Sequence, residues 1–260
     1  MKDLMPVLFV GHGSPMNAVQ ENGFTSALRS LGRDLPRPKA ILVVSAHWLT
    51  KGTFVSTSPE PEQLHDFYGF PDTLYEIAYR PKGSPELAKR AISLGEPIPL
   101  GPQPFRGIDH GAWAVLRHLY PAADVPVVQL SISMSETEDA HYRKAAWLKD
   151  LRSEEILIIG SGNIVHNLAL MSADQVDSEP YVWASEFDRY IKEAIEAADH
   201  DNLTHYWRDL SGAASLAVPT NDHYLPLLYV EGVRQGTDRV CWVYEGIQHK
   251  SVSMRTYLLG

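Results

Sequence analysis

The stretch PVLFVGHGSPM, residues 6–16, sets four consecutive apolar residues, Val7, Leu8, Phe9 and Val10, directly before Gly11, His12, Gly13 and Ser14. A short apolar run without alternation predicts a strand buried on both faces, the habit of a parallel sheet covered by helices. The two glycines predict a turn at the strand's carboxyl end. They leave the His12 imidazole without bulky sequence neighbours, open to close approach by a ligand or metal.

Similar apolar runs recur at AILVVSA (40–46), VPVVQLSI (125–132), ILIIG (156–160) and VCWVY (240–244). Between them lie amphipathic segments of helical spacing: GFTSALRSLG, SPELAKRAISLG, HGAWAVLRHLYP, AHYRKAAWLKDL and SEFDRYIKEAIEAA. Ser84 with Pro85 reads as one helix start, Asp109 as the cap of another, and Pro121 as its stop. The pattern predicts an α/β fold with a mostly parallel central sheet and helices on both faces, organised as one catalytic domain over residues 1–260. The segment from Thr50 to Arg106, rich in Pro, Gly and aromatics around SPEPEQLHDFYGFP and IPLGPQPF, reads as long loops that wall a pocket.

Composition narrows the function classes. With 44% hydrophobic and 21% charged residues the chain has an ordinary globular balance, which argues against disorder or a disulfide scaffold. A net charge of −9 without a Lys/Arg cluster argues against nucleic acid or an anionic membrane as partner, leaving small molecules. No secretory signal is read at the start, and no run approaches the roughly 20 apolar residues that span a bilayer. Cys241 is the lone cysteine, inside VCWVY, and reads as a packed thiol in a reducing, cytoplasmic setting.

Of the 11 histidines, His118, His141, His200, His205 and His249 read as surface or rim residues. The others are better placed. His12 follows VLFV, His47 follows AILVVS, and His166 follows ILIIG by way of SGNIVHN, so three imidazoles fall at or near the carboxyl ends of three strands. Ligands of open α/β sheets bind in the crevice outside those ends. His223 lies in VPTNDHYLPLLYV, where Thr220 or Asn221 reads as a cap and His223 falls in the first turn of a helix. His110 likewise follows a cap, in GIDHGAW. Convergence of His12, His47 and His223 would give a divalent ion such as Zn²⁺ or Fe²⁺ three imidazoles and leave positions open, the mark of a catalytic rather than a structural site. His166 is then either a fourth ligand or a proton carrier.

At these residues the chain resembles a known family. GHGSPM, VVSAHW, HDFYGFP, DHGAW, GSGNIVHN and HYLPLLYV, in this order over nearly the whole length, resemble the LigB-like class III extradiol ring-cleavage dioxygenases, in their 4,5-DOPA branch. The resemblance implies a non-haem metal site with His12, His47 and His223 as ligands. It also implies His166 as an additional ligand or second-sphere acid/base, and His110 beside the substrate. It further implies O₂ and a small catechol such as DOPA as substrates and a semialdehyde product. Fe²⁺ is the ion expected for ring cleavage, and Zn²⁺ the ion expected to be found bound. His65, Phe67 and Tyr68 of HDFYGFP are candidates for the substrate wall. One departure stands out: ring-cleaving members of the wider class commonly use two histidines and a carboxylate, whereas this chain places His223 at the motif position with Asp222 beside it. A zinc hydrolase and a metal-binding protein without turnover are the rival readings. The oligomeric state is left open, since apolar surface is not separable from core in a sequence.

Overall fold

In a computed structural model that describes residues 4–95, 100–172 and 176–260, the opening stretch forms strand β1 (Val7–Gly11), buried throughout. Then come α1 (Gly23–Asp34), β2 (Ala40–Thr50), β3 (Thr53–Ser56), α2 (Asp72–Tyr75), α3 (Pro85–Leu94) and β4 (Leu100–Gln103). The middle of the chain builds α4 (His110–Leu119), β5 (Val127–Ser133), α5 (Glu138–Ala145), β6 (Ile156–Gly162) and α6 (Val182–Ala197). The remainder is α7 (His200–Thr204), α8 (Ser211–Ala217), α9 (Leu225–Gly232), β7 (Val240–Tyr244), β8 (Ile247–Gln248), β9 (Val252–Ser253) and β10 (Thr256–Leu259).

Among the described residues the main sheet has eight strands in the order β4-β3-β5-β2-β6-β1-β10-β7. Its centre, β5-β2-β6-β1, is parallel, as the unbroken apolar runs require. The margins are not: β3 runs antiparallel to β5, and β10 runs antiparallel to both β1 and β7. Strand alternation sorts the core into two layers. Val7, Phe9, Leu42, Val44, Leu130 and Ile158 pack beneath α6 and α9, while Leu8, Val10, Ile41, Val43, Leu157 and Ile159 pack beneath α1 and α4.

The helices start where their capping residues stand. The Ser84 side chain caps α3 and Asp109 caps α4, and α1 has a reciprocal capping box between Asn22 and Thr25. No helix among the described residues is long and apolar enough to cross a membrane.

Several expectations are corrected. Within Thr50–Arg106 the chain forms the short helix α2 and the expected helix α3 and, besides loops, the strands β3 and β4. Each strand has only four residues, and β4, reading LGPQ, sits at the sheet edge where a proline is tolerated, so neither gives an apolar signal. Residues 98–99 of IPLGPQPF and residues 1–3 lie outside the described residues. Strand β7 is the opposite edge, half-buried, and Cys241 is exposed rather than packed. An apolar run cannot tell an edge strand from a central one.

His118 and His141 are buried, not surface residues. His118 Nε2–H donates to the Asn17 carbonyl at 2.8 Å. His141 Nε2–H donates to the Ser133 carbonyl at 3.0 Å, which leaves Nδ1 to accept from the Tyr229 hydroxyl at 3.0 Å.

Candidate metal centre

His12 lies immediately beyond β1, with its backbone N–H on the Gly162 carbonyl of β6 at 3.0 Å. His47 does not follow β2 but sits within it, at an irregularity. Val44 stands opposite Leu130 and Leu49 opposite Ile132, so the intervening residues bulge out of register and re-aim the imidazole. A buried polar cluster holds this bulge. The Asp109 carboxylate, wholly buried at the start of α4, accepts from Ser45 Oγ at 2.7 Å, Gln129 Nε2 at 2.8 Å and Arg106 Nη2 at 2.6 Å. Arg106 Nη2 also donates to the His47 carbonyl at 3.3 Å.

Strands β1 and β2 flank β6, so they stand roughly 10 Å apart at about 4.8 Å per strand. Their imidazoles can meet only above the end of β6, where the sequence is GSG. Gly162 is required there, because a Cβ would lie 2.1 Å from the His223 carbonyl oxygen. That carbonyl accepts from Asn163 N at 2.8 Å, which docks His223 beside β6. A second close approach falls at Gly111, where a Cβ would meet Ser45 Oγ at 2.7 Å and the His47 ring at 2.9 Å. A Gly162→Ala variant is expected to lose about 1–3 kcal/mol of stability through overpacking against rigid backbone, measured by urea unfolding. Stability equal to that of the parent would show that the turn bearing His223 is free to move.

His223 precedes α9 in a turn instead of occupying its first turn, and α9 follows Tyr224 without a side-chain cap. The cap expected from Thr220 or Asn221 is replaced by backbone bonds from Tyr224 N and Leu225 N to the Asn221 carbonyl.

The imidazoles of His12, His47 and His223 form a near-regular triangle, with ring centroids 5.0, 5.0 and 5.3 Å apart. His110 lies 4.0 Å from His47 and 5.6 Å from His12, and His166 stacks on His223 at 3.5 Å. By donor atoms, the groups close enough to share an ion are His12 with His47 and His110, and His166 with Asp222 and His223. All five histidines line one cavity of about 450 Å³, together with Pro15, Met16, Asp66, Phe67, Phe70, Leu168, Met171 and His249.

Hydrogen bonds fix the direction of the lone pairs. Ser161 Oγ gives its proton to the Gly111 carbonyl at 2.5 Å, so it must accept from His12 Nδ1 at 2.9 Å. The bare Nε2 of His12 then faces His47 Nε2 at 3.1 Å. Two nitrogens bound to one ion at about 2.0–2.1 Å and near-tetrahedral angles lie about 3.0–3.4 Å apart. With centroids roughly 1.1 Å behind the nitrogens, three such rings stand roughly 4.5–5.3 Å apart. The ring spacing of His12, His47 and His223 is that of three imidazoles around one ion, whereas the donor atoms within reach of a common ion are those of His12, His47 and His110. His223 Nδ1 is held by a short contact to the Asp222 carboxylate, which leaves its Nε2 for the cavity.

Electrostatics agree. Burial, reinforced by the neighbouring imidazoles, pushes His12, His47 and His166 well below the ordinary histidine value, so they are neutral at pH 7, the form that ligates metal or accepts a proton. Burial alone would raise the Asp66 carboxyl. The hydrogen bond and attraction of His110 outweigh it and bring the group down to about 2. Asp222 is likewise lowered, its hydrogen bond to His223 overcoming burial.

The structure places the HDFYGFP residues unevenly. Phe67 and Phe70 line the cavity, but Tyr68 is 92% exposed and is not among its walls. The His65 ring packs near Tyr75 and Trp113 and faces a separate cleft with Glu62 and Tyr75. Sequence reasoning missed Asp66, and it set aside His249, which lines the cavity. The adjacent pair His65-Asp66 carries no spacing signal, because the carboxylate acts on His47 and His110 from far along the chain.

A mostly parallel α/β sheet with convergent neutral imidazoles above its strand ends defines a pocket enzyme whose centre can hold a metal ion. Over residues 6–255 the chain matches the family described as the catalytic LigB subunit of aromatic ring-opening dioxygenase, and it belongs to that family. It is 44% identical to a 4,5-DOPA dioxygenase extradiol of Escherichia coli (strain K12), covering 98% of this chain and 95% of that one. A protein of the same name from Beta vulgaris is 34% identical over 86% of this chain and 85% of its own. A crystal structure of an uncharacterized Escherichia coli K12 protein superposes with a TM-score of 0.86 at 41% identity, covering 98% of this chain and all of that one. The chain is an extradiol dioxygenase, acting on a small molecule and O₂.

Proposed function

We propose that residues 1–260 act as one catalytic domain that opens the ring of a small catechol, such as DOPA, outside its diol, placing both atoms of O₂ in a semialdehyde product. The observation that carries this reading is the triangle of His12, His47 and His223 with its facing Nε2 atoms, on one side of a cavity walled by Phe67, Phe70, Pro15 and Met16. The names of the relatives support the choice of DOPA.

In this reading His12, His47 and His223 hold the ion. When bound, Fe²⁺ supplies Lewis acidity toward the two catechol oxygens and electron exchange with O₂, whereas Zn²⁺ supplies only the first, although three uncharged imidazoles suit it at least as well. The aromatic wall packs the flat ring and excludes water from it. His110 donates Nδ1–H to Asp66 at 3.0 Å, so in its neutral form Nε2 is the acceptor available to a substrate hydroxyl. The ring nitrogens of His166 have no hydrogen-bond partner among the described residues. His12, His110 and His223 all have Nδ1 engaged. A ring stacked on His223 and lining the cavity suits taking up and returning a proton.

Oxygen uptake on adding DOPA to Fe²⁺-loaded protein tests the reading, with semialdehyde followed by its visible absorbance. One O₂ consumed per semialdehyde formed is the expected result. Turnover of esters or amides without O₂ consumption would point instead to a zinc hydrolase.

A further inference from the structure

We infer that Asp66 is a positioning residue that orients His47 and His110 with Nδ1 protonated, so that both Nε2 lone pairs face the cavity. The inference rests on the proposed metal-holding role of His12, His47 and His223 and deepens it.

Asp66 lies in the aromatic loop beside Phe67, yet its carboxylate turns under the histidines. One oxygen, Oδ1, accepts from the backbone N–H of His110 at 2.9 Å and from its Nδ1 at 3.0 Å. The other, Oδ2, lies 3.6 Å from His47 Nδ1, a charge contact and not a hydrogen bond. That contact matters because of what faces the ring's opposite side. His12 presents a bare lone pair to His47 Nε2, since its own Nδ1 proton is committed to Ser161. His47 therefore has two arrangements. With the proton on Nε2 it donates to His12, fills the space between the two nitrogens and turns a lone pair toward the Asp66 carboxylate. With the proton on Nδ1 it meets the carboxylate favourably and leaves two lone pairs converging at 3.1 Å, an arrangement that a cation completes.

The negative charge of Asp66 favours the second arrangement. It does for His47 and His110 what Asp222 does for His223: a carboxylate behind the imidazole sets its tautomer and raises its donor strength. The same residue ties the metal centre to the substrate wall, since Asp66 and Phe67 are neighbours and Phe67 packs edge-on to His110 at 5.5 Å.

The test measures metal affinity, which does not depend on turnover. Zn²⁺ and Co²⁺ are titrated against a chromophoric chelator for the parent, D66N, D66S and Y68A, with folding followed by circular dichroism and Co²⁺ coordination by its visible absorption. The amide of D66N keeps an acceptor for the His110 backbone but removes the charge, so affinity for both ions is expected to fall about 10–100-fold. Y68A, which changes the same loop at an exposed side chain outside the cavity, should bind as the parent does. If D66N does not fold, D66S decides in the same way. Folded D66N or D66S binding Zn²⁺ within twofold of the parent would overturn the inference, as would an equal loss in Y68A. A parent protein that binds neither ion would remove the metal reading itself and this inference with it.

Discussion

A His223→Ala variant is expected to lose its metal and with it oxygen uptake, by at least about a hundredfold, while His110→Ala keeps the metal. The first expectation follows from geometry: His223 completes a triangle whose sides match three imidazoles on one ion. Losing an outer-sphere partner already costs about 10–100-fold in affinity, and loss of a ligand costs at least as much. The second follows because the centroid distances from His110, 4.0 and 5.6 Å, are far less even. Equilibrium dialysis with elemental analysis separates the two variants. If His110→Ala loses the ion and His223→Ala retains it, the ligands are His12, His47 and His110, whose donor atoms lie close enough together to share one.

Replacing His166 with alanine should have the opposite signature: metal content unchanged and turnover at saturating catechol reduced about 10²–10⁴-fold, the usual worth of a positioned acid or base. Burial, with the His223 ring stacked on it, holds His166 well below the ordinary value of 6.5, so the neutral base is the resident form at pH 7. As pH falls through that lowered value the ring gains a proton and ceases to be a base. The parent should therefore show an acid limb in kcat below pH 6.5. The variant should lack that limb except where metal itself is released, which dialysis at the same pH reports. Turnover equal to the parent's would remove His166 from the reaction.

The same depression acts on stability. Below the unfolded value of about 6.5, the unfolded chain takes up protons that native His12, His47 and His166 refuse, so the stability present above that pH is lost as the medium becomes more acid.

Much of the frame was legible in local order. The unbroken apolar runs of β1, β2, β5 and β6 reported strands buried on both faces. Ser84 and Asp109 reported helix starts because a cap acts on the amides two or three residues away. The placing of His12 after β1 was visible because turn glycines and strand ends are written in adjacent residues. The motif order carried the family resemblance that the comparisons bear out.

What the sequence determined by itself, then, was the central strands, the capped helices and the place of His12 just beyond β1; it set His47 at a strand end, where the structure has it inside β2. The tertiary structure alone decided which imidazoles meet. That depends on β6 inserting between β1 and β2, on a bulge in β2 held by Asp109 from another helix, and on two glycines that let backbone and ring come close. It also decided that Asp66 backs His47 and His110, that His118 and His141 are buried, and that Cys241 is exposed at a sheet edge. Each of these is a contact between residues distant in sequence. Local propensity carries no term for such contacts; they arise only when burial of the apolar faces fixes the strand order.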